Sequence, residues 1–94
     1  MKAPHLLEFY GQECPHCERI RKTLDDVEKE IGMEVTRVEI WHDSDNEKLM
    51  EKYDKGFCGG VPFLYNTESE GWICGEATKE QLVAWAKGEL KNNA

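Results

Sequence analysis

The segment from Pro15 to Ile31 constrains the fold more than any other part of this chain. Its apolar residues recur at spacings of 3, 4, 3 and 4, which places them on one face of a helix: they are Cys17, Ile20, Leu24, Val27 and Ile31. Gly32 follows at a position where helices commonly end in a left-handed residue. Residues 5–10 before the helix are apolar and rich in aromatics, and Gly11 closes them, which predicts a short buried strand. The chain therefore opens with a strand that leads into an amphipathic helix.

The rest of the sequence predicts a second helix, a hairpin and a third helix. The predicted segments are a strand at 35–41, a helix from 44 to about 53, strands at 61–65 and 72–74, and a final helix from 78 to 90. Ser44 with Glu47 matches a capping box, and Thr78 with Gln81 repeats that pattern. A right-handed crossover through the first helix makes the first two strands parallel. The predicted class is α/β with the order βαβαββα, in which three helices flank a four-stranded mixed sheet.

Length and charge limit the function classes. The chain has 94 residues, so we expect a single domain over 1–94 with its core at 5–91. Twelve basic residues against 19 acidic ones give a net charge of −7, which disfavours nucleic acid and anionic membranes as partners. The longest mostly apolar stretch, 61–65, is far shorter than the roughly 20 residues of a membrane span, and no signal region precedes the first strand. We therefore expect a cytoplasmic protein, and a monomer.

The motif Cys14-Pro15-His16-Cys17 lies where the first strand gives way to the helix. Proline suits the first helical position, which makes Cys14 the residue that caps the helix. Its sulfur then lies beside free N–H groups at the positive end of the helix dipole, and both favour the nucleophilic thiolate. His16 adds a donor in the same turn. Because Cys17 belongs to the apolar stripe, we expect its thiol to be less exposed and to have the higher pKa, so Cys14 attacks and Cys17 resolves.

Three sequence motifs resemble those of the thioredoxin superfamily, and the resemblance covers nearly the whole chain. They are Phe9-Tyr10, Cys14-Pro15-His16-Cys17 and Gly60-Val61-Pro62-Phe63. The size is closest to that of glutaredoxins and other minimal redoxins. The resemblance implies a sheet order of 2-1-3-4 and a protein-disulfide oxidoreductase activity on protein substrates.

The resemblance also implies roles for residues outside the dithiol motif. Pro62 would be the family's cis-proline, and the backbone of Val61 would hydrogen-bond the substrate chain. Gly75 would let the substrate approach, and Gly60 beside the proline suits a close backbone approach. Glu8 would be the buried acid that takes the proton of the resolving cysteine. A carboxylate buried in a central strand has a raised pKa, as a general base requires, whereas a glutamate in a solvent-facing notch has no such role.

No G-x-G-x-x-G or P-loop motif occurs, so we expect no nucleotide or flavin cofactor. Electrons would then arrive from an external reductase or a low-molecular-weight thiol. The Pro15-His16 pair resembles that of the superfamily's bacterial periplasmic oxidase, and histidine there favours the reduced form. We therefore expect a reduction potential above the ~−270 mV of thioredoxin.

Cys58 and Cys74 leave several alternatives open. One alternative is that both are unbonded buried thiols, which is how free cysteine usually behaves. The others are a second redox pair or a regulatory thiol. They also complete a possible four-cysteine site with Cys14 and Cys17, which would make the protein a metal or iron–sulfur carrier instead of an enzyme. A redox-inert interaction module on the same fold is the third hypothesis.

Overall fold

A computed structural model of the protein describes residues 2–90. Met1 and residues 91–94 lie outside the described part, as does the predicted core boundary at 91. The strands are β1 (Lys2–Tyr10), β2 (Glu34–Glu39), β3 (Phe63–Asn66) and β4 (Trp72–Cys74), and the helices are α1 (Pro15–Ile31), α2 (Ser44–Asp54) and α3 (Lys79–Ala86). Strand order is β2-β1-β3-β4, with β1 parallel to β2 and antiparallel to β3, and β3 antiparallel to β4. The predicted α/β class, element order and sheet order are therefore confirmed.

The two faces of the sheet carry separate apolar clusters. One cluster joins the buried stripe of α1 to α3, with Leu6 of β1 and Trp85 of α3 fully buried in it. The other packs Leu7 and Phe9 of β1 against α2. Because successive strand residues point to opposite faces, Glu8 shares the α1 face with Leu6. This alternation directs a carboxylate in the central region of the sheet toward the helix that carries the dithiol motif.

Several element ends differ from the prediction. Strand β1 begins at Lys2 and not at 5, and β2 ends at Glu39 and not at 41. Asp43 caps α2 in place of Ser44, since its carboxylate accepts the N–H groups at 45 and 46 and Ser44 is the first helical residue. The third strand begins at Phe63 and not at 61, because Pro62 has no N–H to offer a neighbouring strand. The last helix ends at Ala86, shortly before Gly88 takes up a left-handed conformation. No helix within residues 2–90 is both long enough and apolar enough to cross a membrane.

Candidate active site

Cys14 is the N-cap of α1, as predicted, and Pro15 occupies the first helical turn. The Cys14 sulfur accepts the backbone N–H of Cys17 at 3.4 Å. The thiol also faces the carbonyl oxygen of Val61, from which its sulfur is 3.9 Å away. Cys14 is buried, with 3% of its surface exposed. Its sulfur thus lies at the mouth of the helix and against the loop that precedes Pro62.

Cys17 lies one turn further along α1 and is fully buried. Burial, and then the hydrogen bond with Cys14, raise the pKa of the Cys17 thiol to about 12. The negative charge of Glu8 contributes a smaller effect in the same direction. Both cysteines are free thiols in the structure. A thiol with this pKa needs a base before it can act as a nucleophile at neutral pH.

Glu8 lies buried in β1, so the solvent-facing alternative is wrong. Burial raises the pKa of the Glu8 carboxyl from its ordinary 4.5 to about 7, although the positive charge of Arg37 opposes this. The Arg37 guanidinium lies 3.6 Å from the carboxylate. A cavity of about 670 Å³ borders Glu8 and is also lined by Tyr10, Gln12, Arg21 and Arg37. Glu8 therefore combines a pKa near neutrality with a polar cavity beside it.

Arg37, on the edge strand β2, ties Glu8 to the acidic side of α1. Its guanidinium contacts Asp25 at 2.6 Å and Glu28 at 2.9 Å in addition to Glu8. Sequence reasoning missed this residue, because it reads as an exposed charge in an alternating strand. The only available signal was the register: Arg37 pairs directly with Glu8 in the parallel β1–β2 ladder. Arg37 is thus a partner of the buried acid and not a solvent-facing side chain.

The peptide bond between Val61 and Pro62 is cis, as the resemblance implied. Gly75 donates its N–H to the carbonyl oxygen of Pro62 at 2.8 Å, which ties the end of β4 to this loop. Gly75 has φ +85°, and a Cβ at either Gly75 or Gly60 would meet no atom within 4 Å. The backbone on both sides of Pro62 is consequently open to an incoming chain.

Asp54, at the end of α2, is another residue that sequence reasoning missed, and it holds the glycine-rich loop at 56–60. Its two carboxylate oxygens accept the N–H groups of Cys58 at 2.6 Å and Gly59 at 2.8 Å. The buried Asp54 therefore closes the C-terminal end of α2 onto the glycine-rich loop. An aspartate two residues before a glycine-rich segment was the local signal that could have indicated this contact.

Cys58 and Cys74 are joined in a disulfide, so the expectation of unbonded buried thiols is wrong. Cys74 pairs with Phe63 in the β3–β4 ladder, and the bonded sulfur of Cys58 contacts the carbonyl oxygen of Gly60 at 3.3 Å. The bond thus fastens the loop before Pro62 to β4. A disulfide sulfur is not a thiolate ligand, so the four-cysteine metal hypothesis would require this bond to be reduced first. Within residues 2–90, no group of three or more histidine, cysteine or acidic side chains is arranged to hold a metal ion.

His16 is exposed and forms a cluster with Arg19 and Glu76. Its Nδ1 lies 2.8 Å from the Glu76 carboxylate and 2.6 Å from a guanidinium nitrogen of Arg19. Hydrogen bonds from Arg19, and then from His16, lower the pKa of the Glu76 carboxyl to about 2. When protonated, His16 therefore has a carboxylate partner in the loop that follows β4.

Trp41 lies next to the dithiol loop, and sequence reasoning did not identify it as part of the site. Half of its surface is exposed, and its indole covers Gly11, where an added Cβ would lie 2.3 Å from the ring. The Glu39 carboxylate links the dithiol loop to the segment after β2, because it accepts the backbone N–H groups of Gln12, Trp41 and His42. Trp41 therefore presents an exposed aromatic surface above Gly11, and the Gly11 carbonyl accepts the N–H of Cys14.

No family model matches this chain, and no curated protein matches it with significant similarity.

Proposed function

We propose that this protein belongs to the thioredoxin superfamily and acts as a thiol–disulfide oxidoreductase on protein substrates. One observation carries the proposal: the Cys14 sulfur caps α1 within 3.9 Å of the carbonyl that precedes cis-Pro62, with buried Cys17 one turn behind. A helix N-terminus favours the thiolate, and the neighbouring loop offers backbone groups to the chain that carries the target disulfide.

The reaction consists of two exchanges that together transfer two electrons. The Cys14 thiolate attacks one sulfur of the substrate disulfide, that S–S bond breaks, and the first substrate thiolate leaves. Cys17 then attacks the Cys14 sulfur of the mixed disulfide. The Cys14–Cys17 bond forms, the second substrate thiolate leaves, and the substrate is reduced while the protein is oxidised.

Glu8 takes the proton of Cys17 in the second exchange. A thiol with a pKa of about 12 is almost entirely protonated at neutral pH, whereas a carboxyl with a pKa of about 7 is about half ionised. Glu8 lies on the same sheet face as α1, and the cavity beside it provides a route by which the proton leaves to solvent. Arg37 keeps a fraction of Glu8 ionised, since its positive charge lowers the pKa that burial raises.

Val61 and Pro62 position the substrate chain, with Gly60 and Gly75 leaving space for its backbone. The open space above both glycines supports this assignment. An external reductase or a low-molecular-weight thiol would return the protein to the dithiol form. The proposed compartment is the cytoplasm, although a lasting disulfide such as Cys58–Cys74 is more common in oxidising compartments.

Reduction of insulin disulfides tests the proposal. Wild-type protein should accelerate the reaction in the presence of a thiol reductant, and Cys14→Ser should abolish the acceleration. Cys17→Ser should instead accumulate a mixed disulfide with the substrate, visible by mass spectrometry, because it lacks the resolving thiol. Thr23→Ser, a conservative change elsewhere on α1, serves as the control and should behave as wild type. Turnover that is unchanged in Cys14→Ser would refute the mechanism.

A further inference from the structure

A groove of about 410 Å³ opens beside the candidate active site on the α2 side. Its floor is apolar, formed by the buried side chains of Ile40 and Met50. Val61 closes the end nearest Cys14, because the Val61 carbonyl is the group that faces the Cys14 sulfur. The volume falls within the ~300–1,000 Å³ typical of ligand sites. A chain that presents a disulfide to Cys14 would therefore place a neighbouring side chain at this groove.

Trp41 forms one wall of the groove. Its indole rests on the bare backbone of Gly11, and its backbone N–H donates to the Glu39 carboxylate. Together with Ile40 and Met50 it gives the groove an apolar lining, and apolar patches rimmed by polar residues commonly mark binding grooves. An aromatic face also attracts cations.

The charge of the lining is uniform. Among the described residues that line the groove, every ionisable side chain is a carboxylate: Glu47, Glu51 and Asp54. Both oxygens of Asp54 are already occupied by backbone N–H groups. Glu47 and Glu51 are exposed one turn apart on α2, and neither forms an ion pair with any residue in the range 2–90. Like charges at this spacing repel each other, and a bound cation would relieve the repulsion.

We propose that the groove binds a lysine or arginine side chain of the substrate, located in the segment that flanks the disulfide attacked by Cys14. The inference rests on the proposed function and adds a substrate preference to it. The aliphatic stem of the basic residue lies on Ile40, Met50 and the Trp41 indole, and its charged end reaches Glu47 and Glu51. An acidic partner such as glutathione is disfavoured at this groove by the same two carboxylates.

Three short peptides test the preference. They are identical except for arginine, glutamine or glutamate next to a single cysteine, which is activated as a mixed disulfide with 5-thio-2-nitrobenzoate. Release of the chromophore measures the rate of attack by Cys14. We expect the arginine peptide to react about fivefold faster than the glutamine peptide and the glutamate peptide to be slowest, with the differences shrinking as salt rises.

Charge-neutralising variants identify the groove as the source of the preference. The double variant Glu47→Gln/Glu51→Gln should bring the arginine-to-glutamine rate ratio close to one. The matched control Glu34→Gln/Glu80→Gln removes two exposed carboxylates outside the groove and should keep the wild-type ratio. Equal rates for the three peptides, or a preference that survives Glu47→Gln/Glu51→Gln, would overturn the proposal.

A second readout separates this proposal from the proposed function. If not even the glutamine peptide reacts, the exchange mechanism fails, and the groove is then tested with cysteine-free peptides that carry arginine or glutamate. The NMR signal of the Trp41 indole N–H should shift with the arginine peptide and lose that response in Glu47→Gln/Glu51→Gln. The absence of a shift, or an equal shift with the glutamate peptide, would refute the basic-residue site even if the protein proves to be an oxidoreductase.

Discussion

Replacing Glu8 by glutamine should change how the stability of this protein depends on pH. In the unfolded chain this carboxyl has its ordinary pKa of 4.5, whereas burial raises it to about 7 in the folded protein. Because a tenfold change in proton affinity corresponds to about 1.4 kcal/mol, the difference amounts to about 3 kcal/mol. This is the free energy by which the ionised Glu8 disfavours the folded state.

The sign of the pH dependence of stability follows from the number of protons that the folded and unfolded states bind. Between pH 4.5 and about 7 the folded protein keeps the Glu8 proton that the unfolded chain has lost, so the free energy of unfolding falls as pH rises. Below pH 4.5 the contribution of Glu8 to the free energy of unfolding is fully present, and above about pH 7 it is completely lost. Glu8→Gln has the shape of the protonated acid but no titration. The variant should therefore match wild type at about pH 4 and exceed its stability by up to about 3 kcal/mol at about pH 8.

Urea denaturation across this pH range, followed by tryptophan fluorescence, measures both proteins by linear extrapolation. Subtracting the two curves isolates Glu8 from the other titrating groups. Glu34→Gln makes the same substitution at an exposed position of β2, and its difference curve should show no change between pH 4.5 and about 7. A flat difference curve for Glu8→Gln, or one in which wild type gains on the variant as pH rises, would refute the assignment of a buried, mostly desolvated carboxyl.

Three further outcomes are expected. Replacing both Cys58 and Cys74 by serine opens a loop with a sequence separation of 16, which should lower the free energy of unfolding by about 3 kcal/mol. Urea titrations without reductant measure this loss. A loss under about 1 kcal/mol would contradict a disulfide that constrains the unfolded chain. Gly11→Ala places a Cβ 2.3 Å from the Trp41 ring, so the indole must move and stability should fall by about 1–3 kcal/mol; unaltered Trp41 resonances would count against the packing. Equilibration with glutathione should give a dithiol potential above ~−270 mV that becomes more negative in His16→Ser, and a lower wild-type value would exclude the predicted oxidising character.

The parts of the fold that depend on local signals could be predicted from the sequence. Helix α1 has its start marked by Pro15, its length by the apolar spacing and its end by Gly32, and its predicted bounds are those of the structure. The cap of α2 was assigned to the wrong residue because Asp43 and Ser44 are adjacent and both are good caps. Only the geometry of the chain entering the helix distinguishes them.

The contacts around the candidate site depend on distance in space, which local patterns do not contain. The dithiol stood out by its spacing at the start of α1, and Glu8 was named because of the family resemblance. Arg37 and Trp41 did not stand out, since their roles come from the register of β1 with β2 and from a loop that folds over Gly11. The sequence left the pairing of Cys58 with Cys74 open, because connectivity requires knowledge of which sulfurs meet.

The disulfide between the glycine-rich loop and β4 adds a second two-electron redox couple to this protein. With Cys14 and Cys17 reduced and Cys58 bonded to Cys74, the molecule holds two thiols and one further oxidised couple. Full reduction thus yields four sulfhydryls, of which half belong to the scaffold. Starting from the protein with both pairs oxidised, a titration with a strong reductant should resolve into two separate two-electron stages, and a thiol-labelling experiment must count adducts per chain to know which stage it has reached.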